Sequence, residues 1–230
     1  IALDLSNFGG IPICWPQFGP GNLPQGPKDL PQHGFARDSE WELVETKRYL
    51  CKEEGEVVKA VLRLLDTEAT RAVWPKEFEV LYELRLLTRG KLATEFKITN
   101  KGGEAFDFTG ALHSYFSVKD ALSPAVSVTG MGMQWCMDRA NAADPDVPNV
   151  VWEGRDKVEF GPDQMDSIYV GTAKTNPAFI ARGDGSGLVV TTQGWNDYVL
   201  WNPGETMPDC NRNFICVEAA AAATAPVVPP

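Results

Sequence analysis

Phe78-Glu79-Val80-Leu81-Tyr82-Glu83-Leu84-Arg85-Leu86-Leu87 decides the fold class. Phe78, Val80, Tyr82, Leu84 and Leu86 recur at every second position, with Glu79, Leu81, Glu83 and Arg85 between them. Side chains alternate between faces along a strand, so a period of two predicts a half-buried β-strand. Leu92, Thr94, Phe96 and Ile98 repeat the pattern, and Asn100-Lys101-Gly102-Gly103 then predicts a turn. Two alternating strands joined this closely predict an antiparallel meander.

Working outward, Trp41 to Thr46 reads as a short strand. Val57 to Leu65, between Gly55 and Asp66-Thr67, reads as another. Downstream, Ala105 to Val118 is expected to be one strand in some form. Phe106, Phe108, Gly110 and Leu112 would lie on its core face, and Thr109, His113 and Tyr115 on a more polar one. Met131 to Asn149 reads as an irregular excursion. Ala178 to Arg182 and Leu188 to Thr192 flank a glycine-rich turn and predict a hairpin. Tyr198 to Trp201 and Phe214 to Ala219 are further strands, and the Ala- and Pro-rich end is expected to fray. With no amphipathic helix of ordinary length, the chain reads as all-β. It is expected to be one antiparallel sandwich or barrel over residues 1–220, followed by a tail over 221–230.

The 230 residues are 43% hydrophobic and 23% charged, ordinary for a globular protein. A formal net charge of −10 argues against nucleic acid or an anionic membrane as a partner, since both require a basic face. The five cysteines are dispersed without C-x-x-C spacing and read as reduced thiols of an intracellular, most simply cytoplasmic, protein. No apolar run approaches the ~20 residues of a membrane-spanning helix. The sequence starts at Ile1 rather than Met, so organellar import stays open.

Gly9 to Arg37 is the unusual stretch: GGIPICWPQFGPGNLPQGPKDLPQHGFAR. Twelve of its 29 residues are Gly or Pro, which bars a central strand or a helix interior. Trp15, Phe18 and Phe35 within it are too aromatic for a disordered linker. An ordered loop that forms one wall of a site is the expectation.

Only His33 and His113 are available as histidines, the side chain best suited to proton transfer near neutrality. A hydrogen-bonded strand histidine would look the same as a catalytic one. Glu218 lies in Phe214-Ile215-Cys216-Val217-Glu218-Ala219, a strand so apolar that both faces are expected to be covered. A carboxylate there is either paired structurally or poised as a base. Arg37 could bind an anion through several donors, or simply pair with Asp38 or Glu40. Asp166 could accept sugar hydroxyls from a sheet edge, or form a turn. Phosphate-loop, dinucleotide and serine-hydrolase motifs are missing. Two histidines 80 residues apart, without H-E-x-x-H, argue against a catalytic metal.

Gly9-Gly10-Ile11-Pro12-Ile13-Cys14-Trp15-Pro16-Gln17-Phe18-Gly19 and Gln32-His33-Gly34-Phe35-Ala36-Arg37 resemble the hexose-6-phosphate mutarotases (glucose-6-phosphate 1-epimerases) of the aldose 1-epimerase superfamily. Ala111-Leu112-His113-Ser114-Tyr115-Phe116, Met165-Asp166-Ser167-Ile168-Tyr169, Trp201-Asn202-Pro203 and Cys216-Val217-Glu218 follow in family order. The resemblance implies a galactose mutarotase-like β-sandwich of large antiparallel sheets. It implies interconversion of the α and β anomers of an aldohexose 6-phosphate without a cofactor. By position, His113 matches the general acid and Glu218 the general base. Gln32, Arg37 and Asp166 match substrate-binding positions, and His33 stands beside them on the same loop.

The family usually carries Arg directly before the first Gly-Gly, where Phe8 stands here. It also carries strands before this loop and after the Glu218 motif. The expectation is a shortened chain, or one whose sandwich edges a protein partner completes. Two other functions therefore stand beside the first. One is a non-catalytic sugar-phosphate-binding or structural subunit that keeps the fold. The other is an epimerase of unphosphorylated aldoses.

Overall fold

The computed structural model describes residues 9–21, 26–143 and 149–230, so Phe8 lies outside the described residues. The chain divides into two compact units, residues 1–37 with 108–226, and residues 38–107 with 227–230. In chain order the first strand is β1 (Ile13–Cys14), inside the Gly/Pro-rich stretch and at one end of its sheet. A terminal position suits a segment whose prolines cannot donate to a second neighbour.

The smaller unit is built on the meander. Strands β2 (Glu42–Cys51), β3 (Gly55–Leu65), β4 (Phe78–Leu87) and β5 (Lys91–Asn100) pair antiparallel in sequence order. Phe78, Val80 and Tyr82 are buried, as the alternation predicts, but Leu86 on the same face is exposed. The covered half of β4 is therefore its first half. A short helix α1 (Glu68–Val73) joins β3 to β4, capped by reciprocal bonds between Thr67 and Thr70. Strand β2 runs longer than its hydrophobic pattern suggests, and Leu43, Val44 and Leu50 on it are exposed.

The single strand expected over 105–118 is broken into three: β6 (Phe106–Asp107), β7 (Gly110–Leu112) and β8 (Tyr115–Ser117). The reason is a change of backbone partner. Thr109 N–H donates to Pro16 O (2.9 Å), His113 N–H to Pro12 O (2.9 Å) and Tyr115 N–H to Gly10 O (3.0 Å). The Gly/Pro stretch thus supplies the acceptors that a neighbouring strand would otherwise provide.

Among the described residues, the larger unit holds two sheets. Its four-stranded sheet comprises β9 (Val126–Thr129), β12 (Lys157–Glu159), β14 (Ala178–Arg182) and β15 (Gly187–Val190) in the order β12-β9-β14-β15. Its eight-stranded sheet adds β10 (Gln134–Asp138), β11 (Asn149–Glu153), β13 (Met165–Tyr169), β16 (Asp197–Asn202) and β17 (Phe214–Ala221). The order is β1-β7-β17-β16-β13-β10-β11, with β8 also paired to β17. The excursion expected over 131–149 is thus in part a regular strand, β10. The 178–182 hairpin forms as its pattern predicts. Val126, Val128 and Ile180 of the smaller sheet share one buried cluster with Leu200, Ile215 and Val217 of the larger, so the two sheets pack face to face.

Asp197 is buried at the start of β16. Its Oδ1 accepts from Gly171 N–H (2.9 Å) and its Oδ2 from the N–H groups of Ala222 (3.0 Å) and Ala223 (2.9 Å). The chain end does not fray as expected: β17 runs on to Ala221, and β18 (Val227–Val228) pairs with β6.

Candidate active site

Strand β17 is buried on both faces, and its two faces do different things. Ile215 and Val217 enter the core between the sheets. Cys216 and Glu218 alternate onto the opposite face. His113 follows β7 at the point where the backbone leaves one partner for the next. Its Nε2 lies 3.4 Å from Glu218 Oε1. The imidazole stacks on Tyr115 (centroids 5.0 Å, planes 12° apart) and meets Trp201 edge-on (5.7 Å) and His33 edge-on (5.6 Å). The polar surface expected around His113 is thus an aromatic, buried one.

The Gly/Pro loop delivers His33 through its own hydrogen bonds. Trp15 O accepts from Phe35 N–H and Ala36 N–H (3.1 Å each), while Trp15 N–H donates to His33 O (3.1 Å). The buried Gln17 side chain bridges the loop, donating to Leu30 O and accepting from Leu30 N–H, both at 3.1 Å. Gly19 N–H donates to His33 Nδ1 (3.3 Å), which places a neutral His33 proton on Nε2. Arg37 Nη2 donates to Gln32 O (2.9 Å), and both residues are exposed at the end of the loop.

Asp166 lies inside the sheet, on β13 between β10 and β16, rather than on the expected edge. Its Oδ2 is 3.5 Å from Arg139 Nε. Arg139 is the residue that the sequence reading misses. Its guanidinium sits over the Phe18 ring (5.3 Å), and its buried Nη1 has no hydrogen-bond partner among the described residues. The Asp138-Arg139 pair at the end of an apolar run is the only sequence signal for it. Phe18 in turn packs against His33 (5.4 Å).

Burial dominates the electrostatics. It pushes the Glu218 carboxyl well above its ordinary value, Asp166 adds to the shift, and Arg139 opposes it. His113 is lowered to about 4, first by burial and further by Arg37. His33 is lowered to about 3, first by burial, then by His113 and the two arginines. Asp166 is raised by burial, against the pull of Arg139. Glu218 Oε2 and His113 Nδ1 are buried without hydrogen-bond partners among the described residues. A carboxyl and an imidazole side by side, with unspent hydrogen-bonding capacity, can exchange protons with a bound molecule. The structure therefore brings together His113, Glu218, His33 and, through Arg139, Asp166. Gln32 and Arg37 stand at the exposed end of the same loop. His113, Cys216 and Glu218 are the group whose donor atoms could surround an ion.

A sequence model of the aldose 1-epimerase family matches residues 6–229, and the chain belongs to that family of isomerases. It is 34% identical to an Escherichia coli K12 protein named as a candidate glucose-6-phosphate 1-epimerase, over 93% of this chain and 67% of that one. A relative from Cenchrus ciliaris with the same name is 33% identical over 93% of this chain and 63% of its own length. The chain thus spans about two thirds of the length of these curated relatives. The crystal structure of a candidate mutarotase, YeaD, from Salmonella typhimurium superposes with a TM-score of 0.74. The two are 30% identical, over 96% of this chain and 69% of that one. The fold is galactose mutarotase-like and nearly all β. Among the described residues, no helix is long and apolar enough to cross a membrane.

Proposed function

We propose that this chain interconverts the α and β anomers of an aldohexose 6-phosphate, with Glu218 as general base and His113 as general acid. The observation that carries the proposal is the 3.4 Å approach of His113 Nε2 to Glu218 Oε1 in a buried, aromatic-lined site. Glu218 takes the proton of the anomeric hydroxyl while His113 protonates the ring oxygen. The C1–hydroxyl oxygen becomes the aldehyde oxygen and the ring C1–O bond breaks. Rotation about C1–C2 exposes the other face of the aldehyde, and reversal of both proton transfers closes the ring as either anomer. Ring opening moves one proton, through the sugar, from His113 to Glu218. Ring opening therefore starts from the ionised pair; burial, which raises the carboxyl and lowers the imidazole, opposes that pair and favours the state after transfer, with the proton on Glu218. Ring closure, favoured by the sugar itself, returns the proton.

Arg37 at the exposed end of the loop supplies a charge-assisted contact to the phosphate, and Gln32, His33 and Asp166 supply hydrogen-bonding groups to the sugar. Glucose 6-phosphate is expected to show a higher kcat/KM than glucose, and the ratio is expected to shrink as salt screens the contact. Arg37→Ala should bring the two sugars together. Equal kcat/KM values for both sugars at low salt would assign the chain to unphosphorylated aldoses.

Arg139 completes the site. A buried guanidinium nitrogen without a partner is costly, and a substrate oxygen would satisfy it. Loss of one charge-assisted hydrogen bond of roughly 1.5–3 kcal/mol corresponds to a ten- to hundredfold weaker complex. Arg139→Ala should therefore raise KM by about that factor, with Arg139→Lys recovering part of it. An unchanged KM in Arg139→Ala would remove Arg139 from the site.

A further inference from the structure

We propose that the buried group His113, Cys216 and Glu218 is a reversible Zn2+ site, and that the ion silences the enzyme by occupying its acid–base pair. Cys216 and Glu218 are two residues apart on β17 and project from the same face, while His113 arrives from the end of β7. One imidazole nitrogen, one thiol sulfur and one carboxylate oxygen lie within 4.8 Å of one another. A tetrahedral zinc ion, with bonds of about 2.0–2.3 Å, sets its ligand atoms roughly 3.3–3.8 Å apart. His113 and Glu218 already stand at that spacing, at 3.4 Å. The sulfur needs to close by about 1 Å at most on this geometry.

A second, independent observation points to a ligand. Glu218 Oε2 is fully buried and has no hydrogen-bond partner among the described residues. A carboxylate engaged only structurally would have its lone pairs satisfied by nearby N–H groups, as those of Asp197 are. The donor set selects the metal. Mixed nitrogen, sulfur and oxygen donors suit Zn2+ or Co2+, whereas Mg2+ and Ca2+ take oxygen shells. Three protein ligands leave a fourth position open. Arg139 and Arg37 act electrostatically on Glu218 and His113 and oppose a cation, so binding is weaker than at a closed four-ligand structural site.

Binding itself does not depend on the catalytic reading. Inhibition does, because ligation withdraws the two groups to which proton transfer is assigned above. The experiment reads both. Chelator-treated full-length protein is titrated with Co2+ and then with Zn2+. The expected result is a near-ultraviolet thiolate-to-cobalt charge-transfer band with tetrahedral visible bands, all displaced by Zn2+. X-ray absorption on the zinc-loaded wild type should show one sulfur and at least one imidazole in the shell, which holds the test open if a variant folds poorly. Cys216→Ser should lose the charge-transfer band and bind Zn2+ at least tenfold more weakly. Anomer exchange by the wild type should fall with added Zn2+, return with chelator and be protected by excess sugar phosphate, whereas Cys216→Ser should keep exchanging. A missing thiolate band, a sulfur-free shell, or a band unchanged in Cys216→Ser would overturn the site. A metal spectrum as expected, in a wild type that exchanges no anomers, would uphold the site and refute the mutarotase reading instead.

Discussion

Glu218→Gln is expected to slow anomer exchange by about 10²–10⁴-fold, the usual contribution of a positioned acid–base group. The substitution keeps the shape of the side chain and removes only its ability to accept and carry a proton. It should not unfold the protein. Glu218 is 1% exposed, and burial already pushes its carboxyl toward the neutral form, so a neutral amide of the same shape suits the pocket. β17 is held on one side by β16 and on the other by β7 and β8, through backbone bonds that the change does not touch. The measurement is the exchange rate beside a denaturation curve. A wild-type rate in a folded Glu218→Gln protein would contradict the assignment of the base. A lost rate in an unfolded one would be repeated with Glu218→Asp, which keeps the carboxyl but withdraws it by a methylene and should recover part of the rate.

Gly34→Ala is expected to cost about 4 kcal/mol or more, or to prevent accumulation of folded protein. Gly34 has a φ of +71°, and a Cβ built there would lie 2.2 Å from Trp15 O and 2.5 Å from the Trp15 carbonyl carbon. Both are backbone atoms. The Trp15 carbonyl cannot turn away, because it accepts the N–H groups of Phe35 and Ala36. Gly90, in the turn between β4 and β5, is the matched control. Its φ is also +71°, but nothing lies within 4 Å of its Cβ position. Gly90→Ala should therefore cost only about 1 kcal/mol, the strain of the backbone angle alone. Urea denaturation of the two variants separates close approach from backbone angle, and equal costs would contradict the packing described for the loop.

The β4–β5 hairpin is legible from period two alone, because the two strands are consecutive and need only local information, whereas β3 is legible only from its apolar run and the flanking Gly55 and Asp66-Thr67. The 105–118 segment is not. Its backbone changes partners among residues from distant parts of the sequence, and alternation of side chains carries no record of which strand receives each N–H. β10 was obscured for a related reason: Trp135 and Met133 are exposed while Cys136 and Met137 are buried, so no simple alternation marks it. In the site, Glu218 stood out because a carboxylate in a doubly covered apolar strand is rare. His113 stood out because there are only two histidines. Their proximity was not legible, since it depends on the pairing of β17 with β7. Arg139 was invisible because its significance lies in an unpartnered buried nitrogen, which only a folded chain reveals. The role expected of Asp166 survives as a proposal, but its strand proved internal, because β10 pairs outside it.

The catalytic reading turns on whether the buried pair passes a proton through a sugar. Magnetisation transfer between the α and β anomeric protons of glucose 6-phosphate, in the presence of intact wild-type protein, tests it directly. The account predicts exchange above the spontaneous rate, proportional to protein concentration. Exchange at the spontaneous rate, with protein shown to be folded and metal-free, would contradict it.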